Sequence, residues 1–319
     1  MSGFRLKNKG QHIDISKPIK FSFDGKEYQG YEGDTLASAM LANGEMVLAR
    51  SFKYHRPRGV YSAGPEEPNA LVSIRNNGRI EPNCTATTVE IYKGLEARSQ
   101  NAWPSLAFDI LAINQLFSPL LVAGFYYKTF MGTGQRFWHF CERFIRRAAG
   151  MGKAGLKADP DRYEKLNIFT DILIIGGGPA GLNTAKEMAS SGKKITLVDE
   201  NNSFGGSLPE ETGTIDGRTP CDWLSETLNA LSKYQNLKML TRTTVYGYFD
   251  GNTLGAFERV ADHKAIPENH EPRQRHLKIF AEQVIIATGS IERPLVFDRN
   301  DMPGIMLANA ALKLSLIHI

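Results

Sequence analysis

Cysteine is nearly missing from this sequence: Cys84, Cys141 and Cys221 are the only three among 319 residues, an odd number at wide spacings. That excludes a disulfide framework and fits a reducing compartment, the cytoplasm. An excess of one charge is missing too. The 38 Lys and Arg stand against 34 Asp and Glu, a formal charge of +4, whereas nucleic-acid domains gather basic residues into one patch or stripe. Nucleic acid is therefore not expected as a partner. A clean apolar run is also absent. The most apolar stretch, Leu106 to Tyr127, carries Asp109, Asn114, Gln115 and Pro119, which are costly inside a bilayer, so no membrane span is expected. The opening MSGFRLKNKGQHIDISKP has no apolar core of the kind a secretory signal requires. What remains is the composition of a globular chain, 42% hydrophobic, 23% charged and 10% aromatic. Its length suits about two domains, able to bury roughly 75% of the unfolded surface.

From Lys17 the chain reads KPIKFSFDGKEYQGYEGDTLASAMLANG. Phe21 and Phe23 alternate with polar neighbours, Asp24-Gly25 is a two-residue hairpin signal, and Tyr28 resumes the pattern on a second strand. Gly33-Asp34-Thr35 offers an N-cap to a helix with Leu36, Ala39 and Met40 at helical spacing, stopping at Asn43-Gly44. A hairpin followed by a helix opens a β-grasp fold and resembles the plant-type 2Fe–2S ferredoxin domains, whose next loop carries C-x4-C-x2-C. Here that loop reads ARSFKYHRPRGVYSAGPEEPNALV and contains no cysteine between Leu48 and Val72. His55 cannot replace three thiolates, so no iron–sulfur cluster and no other metal is expected. The loop instead holds Arg50, Lys53, His55, Arg56 and Arg58. Clustered guanidinium groups suit a phosphate or a carboxylate-rich partner surface, and a solvated basic loop is the plainer reading. His55 reads as a packing or hydrogen-bonding residue, since no partner acid is identifiable near it in sequence.

Between about Gln100 and Tyr163 aromatics crowd together: Trp103, Phe108, Phe117, Phe125, Tyr126, Tyr127, Phe130, Phe137, Trp138, Phe140 and Phe144. Such a segment should be buried, in a core or at an interface. RFWHFCERFIRRAA, Arg136 to Ala149, reads as one helix with Phe137, Phe140, Phe144 and Cys141 on its buried face, making Cys141 a core thiol. Gly150 to Asp161 is the clearest linker.

Thr170 to Glu200, TDILIIGGGPAGLNTAKEMASSGKKITLVDE, holds the strongest signal. An apolar strand over Asp171–Ile175 runs straight into Gly176-x-Gly178-x-x-Gly181, then a helix over Leu182–Ser190, a second strand over Ile195–Val198 and an acid at Asp199. Gly176 permits the tight turn, Gly178 lets the backbone approach a pyrophosphate, and Gly181 lets helix and strand pack closely, with the phosphates on the helix N-terminus beside Pro179 and Ala180. Asp199, about 20 residues on and followed by Glu200, is placed to accept from ribose hydroxyls, which favours NAD or FAD over a 2′-phosphorylated cofactor. Gly206 and Ser207, in a second glycine pair just beyond, extend the candidate set. So do Ala287, Thr288 and Gly289 after a later apolar strand, which resemble the ATG element of flavoproteins with two dinucleotide sites. Thr244 and Val245 would lie near the adenine in that group. The expected fold class is therefore mixed: an α+β ferredoxin-like β-grasp domain without a cluster over 17–97, an aromatic helical bridge and linker over 98–165, and an α/β Rossmann-type FAD/NAD(P)-binding domain over 166–319.

Taken in order, GYEGDTLASAMLANG, RSFKYHRPRG, AGPEEPNAL, SQNAWPSLAFDI, AGFYYKTFM, IRRAAGMG and IIGGGPAGL resemble the α subunits of heterotetrameric bacterial sarcosine oxidases, from Phe21 to about Leu312. Related amine, opine and proline dehydrogenase subunits keep cluster cysteines in the loop. The resemblance implies oxidative demethylation of sarcosine to glycine, with oxygen as electron acceptor and tetrahydrofolate taking the one-carbon unit. It implies FAD and the amine site on a β subunit, FMN at the α/β interface, γ and δ subunits as further partners, and NAD held here by Gly176, Gly178, Gly181 and Asp199. No residue in this chain is expected to be catalytic. Those α subunits continue far beyond residue 319, so the sequence reads as a truncated fragment whose residues from about Ser315 do not look like the family. Two other readings stay open: a stand-alone FAD or NAD oxidoreductase domain, and a non-catalytic module that docks a partner.

Overall fold

The computed structural model describes residues 5, 13–76, 78–122, 124 and 134–315, and the chain divides into two units, Met1–Pro160 with Glu292–Ile319 and Asp161–Ile291. The first unit begins with a hairpin of β1 (Asp14–Phe23) and β2 (Lys26–Glu32), in register Phe21↔Tyr28 and Phe23↔Lys26. Asp24 and Gly25 turn it at φ 48° and 82°. Both lie in the left-handed region that a two-residue hairpin turn demands and that Asp-Gly reaches most easily. Helix α1 (Leu36–Ala42) follows, started by a capping box in which Thr35 accepts from the Ser38 amide and Ser38 accepts from the Thr35 amide. It ends at Asn43, ahead of a left-handed Gly44. All seven of its residues are buried. Gly30 in β2 makes room for it, since a Cβ there would meet Ala39 Cβ at 3.1 Å. Short strands β3 (Ala49–Arg50) and β4 (Pro57–Arg58) pair with each other, and β5 (Leu71–Asn76), β6 (Arg79–Thr85) and β7 (Glu96–Ser99) complete a sheet ordered β2-β1-β7-β5-β6. Strand β7 runs parallel to β1 and antiparallel to β5. That mixed sheet with one helix laid on it is the expected β-grasp.

The aromatic segment departs from expectation. A 3-10 helix spans Ile110–Leu120 and α2 spans Gln135–Ala148, but apolar side chains in and just before them face outward: Phe108 is 67% exposed, Leu116 77%, Phe140 59% and Phe144 58%. Phe140 and Phe144 stack edge to face at 5.2 Å, one turn apart on the same helix. Among the described residues no other element covers that stripe, so Phe137, Phe140 and Phe144 are not core residues of this chain, and Cys141 is only half-buried. Phe125, Tyr126, Tyr127 and Phe130 lie outside the described residues.

In the second unit β8 (Tyr163–Ile175) leads into α3 (Pro179–Ala189) and β9 (Ile195–Val198). Then come α4 (Pro220–Leu231), β10 (Leu237–Leu240), β11 (Thr243–Phe249), β12 (Thr253–Glu258) and β13 (Gln274–Ile286). The sheet order is β10-β9-β8-β13-β12-β11, parallel across its first four strands and antiparallel beyond. Strand β8 is longer than its apolar end suggested because it pairs along β13 from Tyr163↔Gln274 to Ile175↔Ile286. Its period of two sends Ile172 and Ile174 to one face, where they meet Leu182, Ala185, Trp223 and Leu224. Leu173 goes to the other, against Val198, Leu254, Leu277 and Ile279. Each such side chain contributes about 1.5–3 kcal/mol on burial. The strand's approach is fixed by Arg273, itself 1% exposed. Its guanidinium donates to both Asp161 carboxylate oxygens at 3.0 and 3.2 Å and to the Lys264 carbonyl at 2.7 Å. From Glu292 the chain groups with the first unit, where α5 (Ala308–Lys313) is preceded by a Leu307 amide donating to the Tyr61 carbonyl at 2.8 Å. No described helix is long and apolar enough to cross a membrane.

Replacing Thr35 by Ala removes one half of the capping box and should lower the stability of the first unit by about 1 kcal/mol. In urea unfolding followed by site-specific probes, the midpoint of the first unit should fall while that of the second unit stays unchanged.

Candidate functional site

Strand β8 stops at Ile175 because Gly176 turns the chain at φ 103°. Any Cβ there would strike the Ala287 carbonyl oxygen and lie 3.1 Å from Thr288 Cα. The turn is thus pressed against the segment after β13, whose Ala287 amide donates to the Ile175 carbonyl at 2.8 Å. Gly178 is the N-cap of α3 and supplies no side chain, and the nearest atom to its absent Cβ is Gly206 Cα at 3.9 Å. Gly206 in turn sits at φ 57° with its own absent Cβ 3.0 Å from Gly178 Cα, and the Gly205 amide donates to the Gly177 carbonyl at 2.8 Å. At Gly181 a Cβ would run into the Gly176 carbonyl, so helix and strand approach as closely as backbones can. The first turn of α3 begins at Pro179, carries no acidic residue, and has no side chain capping its amides. A helix start with orphan N–H groups and no side chains in the way is suited to a phosphate.

Asp199 follows β9 and is only 7% exposed. One carboxylate oxygen accepts from the Gly177 amide at 2.6 Å, and the other from the Asn201 amide at 2.8 Å and side-chain amide at 3.0 Å. A carboxylate offers about four lone-pair sites, so these three donors leave capacity for a further hydroxyl. The Asp199 carbonyl accepts from the Thr243 amide at 2.8 Å, which sets Thr244 and Val245 just beyond it. Val245 turns into the core beside Ile168 and Leu254, so its side chain serves packing. Thr244 pairs with Phe257 on β12. The Glu200 carbonyl accepts from Arg259 at 2.8 Å. Gly206, Ser207, Thr288 and Gly289 are exposed. Gly176, Gly178, Gly181, Asp199, Gly206, Ala287 and Thr288 thus come together around one turn, and the cradle fits a dinucleotide. Sequence reasoning missed Gly177, whose amide Asp199 holds, while Phe204, whose ring lies where a Gly177 side chain would be, and Gly205 at φ 128° belong to the second glycine pair's segment. The middle glycine of Gly176-Gly177-Gly178 was the available signal.

The basic loop differs from its expected role. Arg50 donates to the Leu106 carbonyl and, at 3.0 Å, to the His55 carbonyl, closing β3 onto its own loop. Arg58 donates to the Asp301 carboxylate and, at 2.9 Å, to its carbonyl, with Arg56 on the same carboxylate at 3.3 Å. Lys53 lies 4.9 Å above the Tyr54 ring. Most of the charge offered to a phosphate or a partner in the sequence reading is therefore engaged inside the chain. His55 is fully buried at φ 53° and does have a partner acid, Asp109, at 2.7 Å. Sequence could not pair them, because 54 positions separate the two.

Two family models match the chain: a 2Fe–2S iron–sulfur cluster binding domain over residues 16–102 and a pyridine nucleotide-disulphide oxidoreductase domain over 170–316. The sarcosine oxidase subunit alpha of Rhizobium meliloti (strain 1021) is 53% identical over 97% of this chain and 31% of its own length. That of Corynebacterium sp. (strain P-1) is 35% identical over 93% of this chain and 26% of its own. The chain therefore spans between a quarter and a third of the length of these curated relatives. Among solved structures, L-proline dehydrogenase from P. horikoshii matches in fold with a TM-score of 0.63 at 20% identity, over 98% of this chain and 49% of that one.

Burial alone would raise the Asp301 carboxyl, but the Arg58 and Arg56 guanidinium groups outweigh it and hold it below the usual carboxylate range. A depressed folded-state pKa gives stability that is present above the unfolded value and is lost as pH falls through the folded one. Asp301→Asn should therefore lower Tm most near about pH 7 and progressively less as pH falls below about 4. A Tm difference constant across that range, in calorimetric scans, would remove the ion pairs from this account.

Proposed function

The chain belongs to the family of sarcosine oxidase alpha subunits, and from that premise we propose that it supplies the nucleotide-binding and docking parts of a multi-subunit enzyme that oxidatively demethylates sarcosine to glycine. In this reading oxygen accepts the electrons and tetrahydrofolate takes the one-carbon unit. The amine is oxidised on a β subunit that carries FAD, FMN lies where that subunit meets this one, and γ and δ subunits complete a heterotetramer. The setting is cytoplasmic, in keeping with the sparse cysteines.

NAD is the ligand we assign to the glycine cradle, and when bound it supplies a hydride-accepting nicotinamide. The chain's own residues bind and orient it. Amides of the first turn of α3, from Ala180 and Gly181, face the pyrophosphate. Gly178 and Gly206 keep side chains out of its way, and Asp199 accepts from a ribose hydroxyl. A 2′-phosphate would meet the buried Asp199 carboxylate, so like charge selects against the phosphorylated cofactor. Ser207, Thr288 and Gly289 would flank the ligand, with Thr244 and the Val245 backbone toward the adenine. None of these groups is assigned to the bond-breaking step at the amine carbon. The observation that carries the reading is the interlock of Gly176, Gly178 and Gly206 backbones above a buried Asp199.

The docking part rests on the exposed aromatics. Trp103, Phe108, Phe117, Phe140 and Phe144 are each more than half exposed in this chain, and apolar groups of that size are characteristic of surfaces that a partner covers.

The purified chain should retain a nucleotide, and denaturation followed by mass spectrometry identifies it. NAD at about one equivalent is the expected outcome. FAD would instead make the chain an independent flavoprotein domain and end its reading as an accessory subunit.

A further inference from the structure

A plant-type 2Fe–2S domain holds its cluster with cysteines at C-x4-C-x2-C, and backbone amides of the surrounding loop hydrogen-bond to the sulfurs. The loop between α1 and β5 reproduces that spacing without the thiolates: Ser62-x4-Glu67-x2-Ala70 ends at the residue before β5. Glu67 is 4% exposed, and its carboxylate is the point on which the loop converges. One oxygen accepts from the amides of Tyr61 at 2.7 Å and Ser62 at 2.6 Å, with the Ser62 hydroxyl at 3.4 Å. The other accepts from the amides of Asn69 at 2.7 Å and Ala70 at 3.1 Å. Two of those four amides belong to residues at the cysteine positions, and the other two to their neighbours.

These residues do not fit the iron–sulfur cluster for which the matching family model is described. Alanine offers no ligand atom, a serine hydroxyl is a poor substitute for a thiolate, and the Glu67 oxygens are already engaged with amides. The one cysteine between residues 16 and 102 is Cys84, on β6 opposite Val72, with its sulfur 3.5 Å from the Glu81 carbonyl. One thiol is not a set of four. Yet the loop keeps the electrostatic feature of a cluster site, four amides pointed at one buried anion.

We propose that Glu67 replaces the cluster as the anion on which this loop is built, making the domain a scaffold that neither binds nor needs iron. The loop is further fastened by the Thr87 hydroxyl, which donates to the Gly64 carbonyl at 2.6 Å, and by the Ala86 amide, which donates to the Ala70 carbonyl at 2.9 Å. Those two contacts tie it to the chain after β6. The carboxylate therefore closes the loop from within, while the sheet holds it from without.

Two measurements on the full chain test this. In hydrogen exchange, the amides of Tyr61, Ser62, Asn69 and Ala70 should be protected in the wild type. Glu67→Ala should speed their exchange by about tenfold or more while the amides of β1 and β2 are unchanged. Glu67→Gln turns a donor toward two of the four amides and should deprotect one pair selectively. If Glu67→Ala does not fold, the wild-type protection and the Glu67→Gln pattern still decide. Free exchange of these four amides in the wild type, or no change in either folded variant, would overturn the proposal. Anaerobic incubation with ferrous iron and sulfide should leave the chain colourless and iron-free after desalting, and two irons retained per chain would equally overturn it.

Discussion

A carboxylate taken out of water is stable only where donors surround it, and this chain uses that requirement to fold its irregular segments. Asp34, Glu67, Asp109 and Asp199 are all less than 9% exposed, and each accepts at least one backbone amide beside further donors. Asp34 gathers Tyr31 and Ser38. Glu67 gathers Tyr61, Ser62, Asn69 and Ala70. Asp109 gathers Trp103, Leu111 and His55. Asp199 gathers Gly177 and Asn201. A hydrogen bond to a charged group is worth about 1.5–3 kcal/mol net, and an unpaired buried carboxylate costs more than that, so each site fixes its loop in one arrangement. The energetics are finely balanced: at Asp34 burial raises the carboxyl despite the opposing pull of Arg5.

In the second unit the same device shapes the candidate site. Asp199 holds the Gly177 amide and so fixes the glycine turn. Glycine at 176, 178 and 206 then brings three backbone segments closer than any side chain would allow. Rigidity and access thus come from the same few residues. In the proposed reading, a phosphate entering the turn would meet amides already positioned, with little ordering left to oppose binding. The same logic in the first unit leads the other way, because there the anion belongs to the protein and the loop is closed.

Much of this was legible in the sequence. The hairpin at Asp24-Gly25, the helix cap at Thr35 and the strand–glycine–helix–strand unit depend on neighbours within a few positions, and each formed where local chemistry placed it. The exposure of Phe140 and Phe144 was not legible, because helical periodicity marks an apolar face without saying what covers it. Long-range polar pairs were invisible for a different reason. His55 and Asp109, Arg58 and Asp301, and Asp161 and Arg273 are each joined across more than 50 positions. The role of Glu67 was hidden in a spacing read only for missing cysteines. At the candidate site, the motif glycines, the second glycine pair and Asp199 were readable from the sequence, while the part played by Gly177 needed the backbone geometry.

The proposed function has two halves, a glycine cradle that would hold a nucleotide and exposed aromatics that would meet a partner. The nucleotide half depends most directly on Asp199. Calorimetric titration of NAD into the nucleotide-free chain, beside Asp199→Ala with its fold verified by circular dichroism, tests it. The account predicts one saturable site in the wild type and about tenfold or greater weakening in the variant. Equal affinity in the two proteins, or no binding in the wild type, would contradict it.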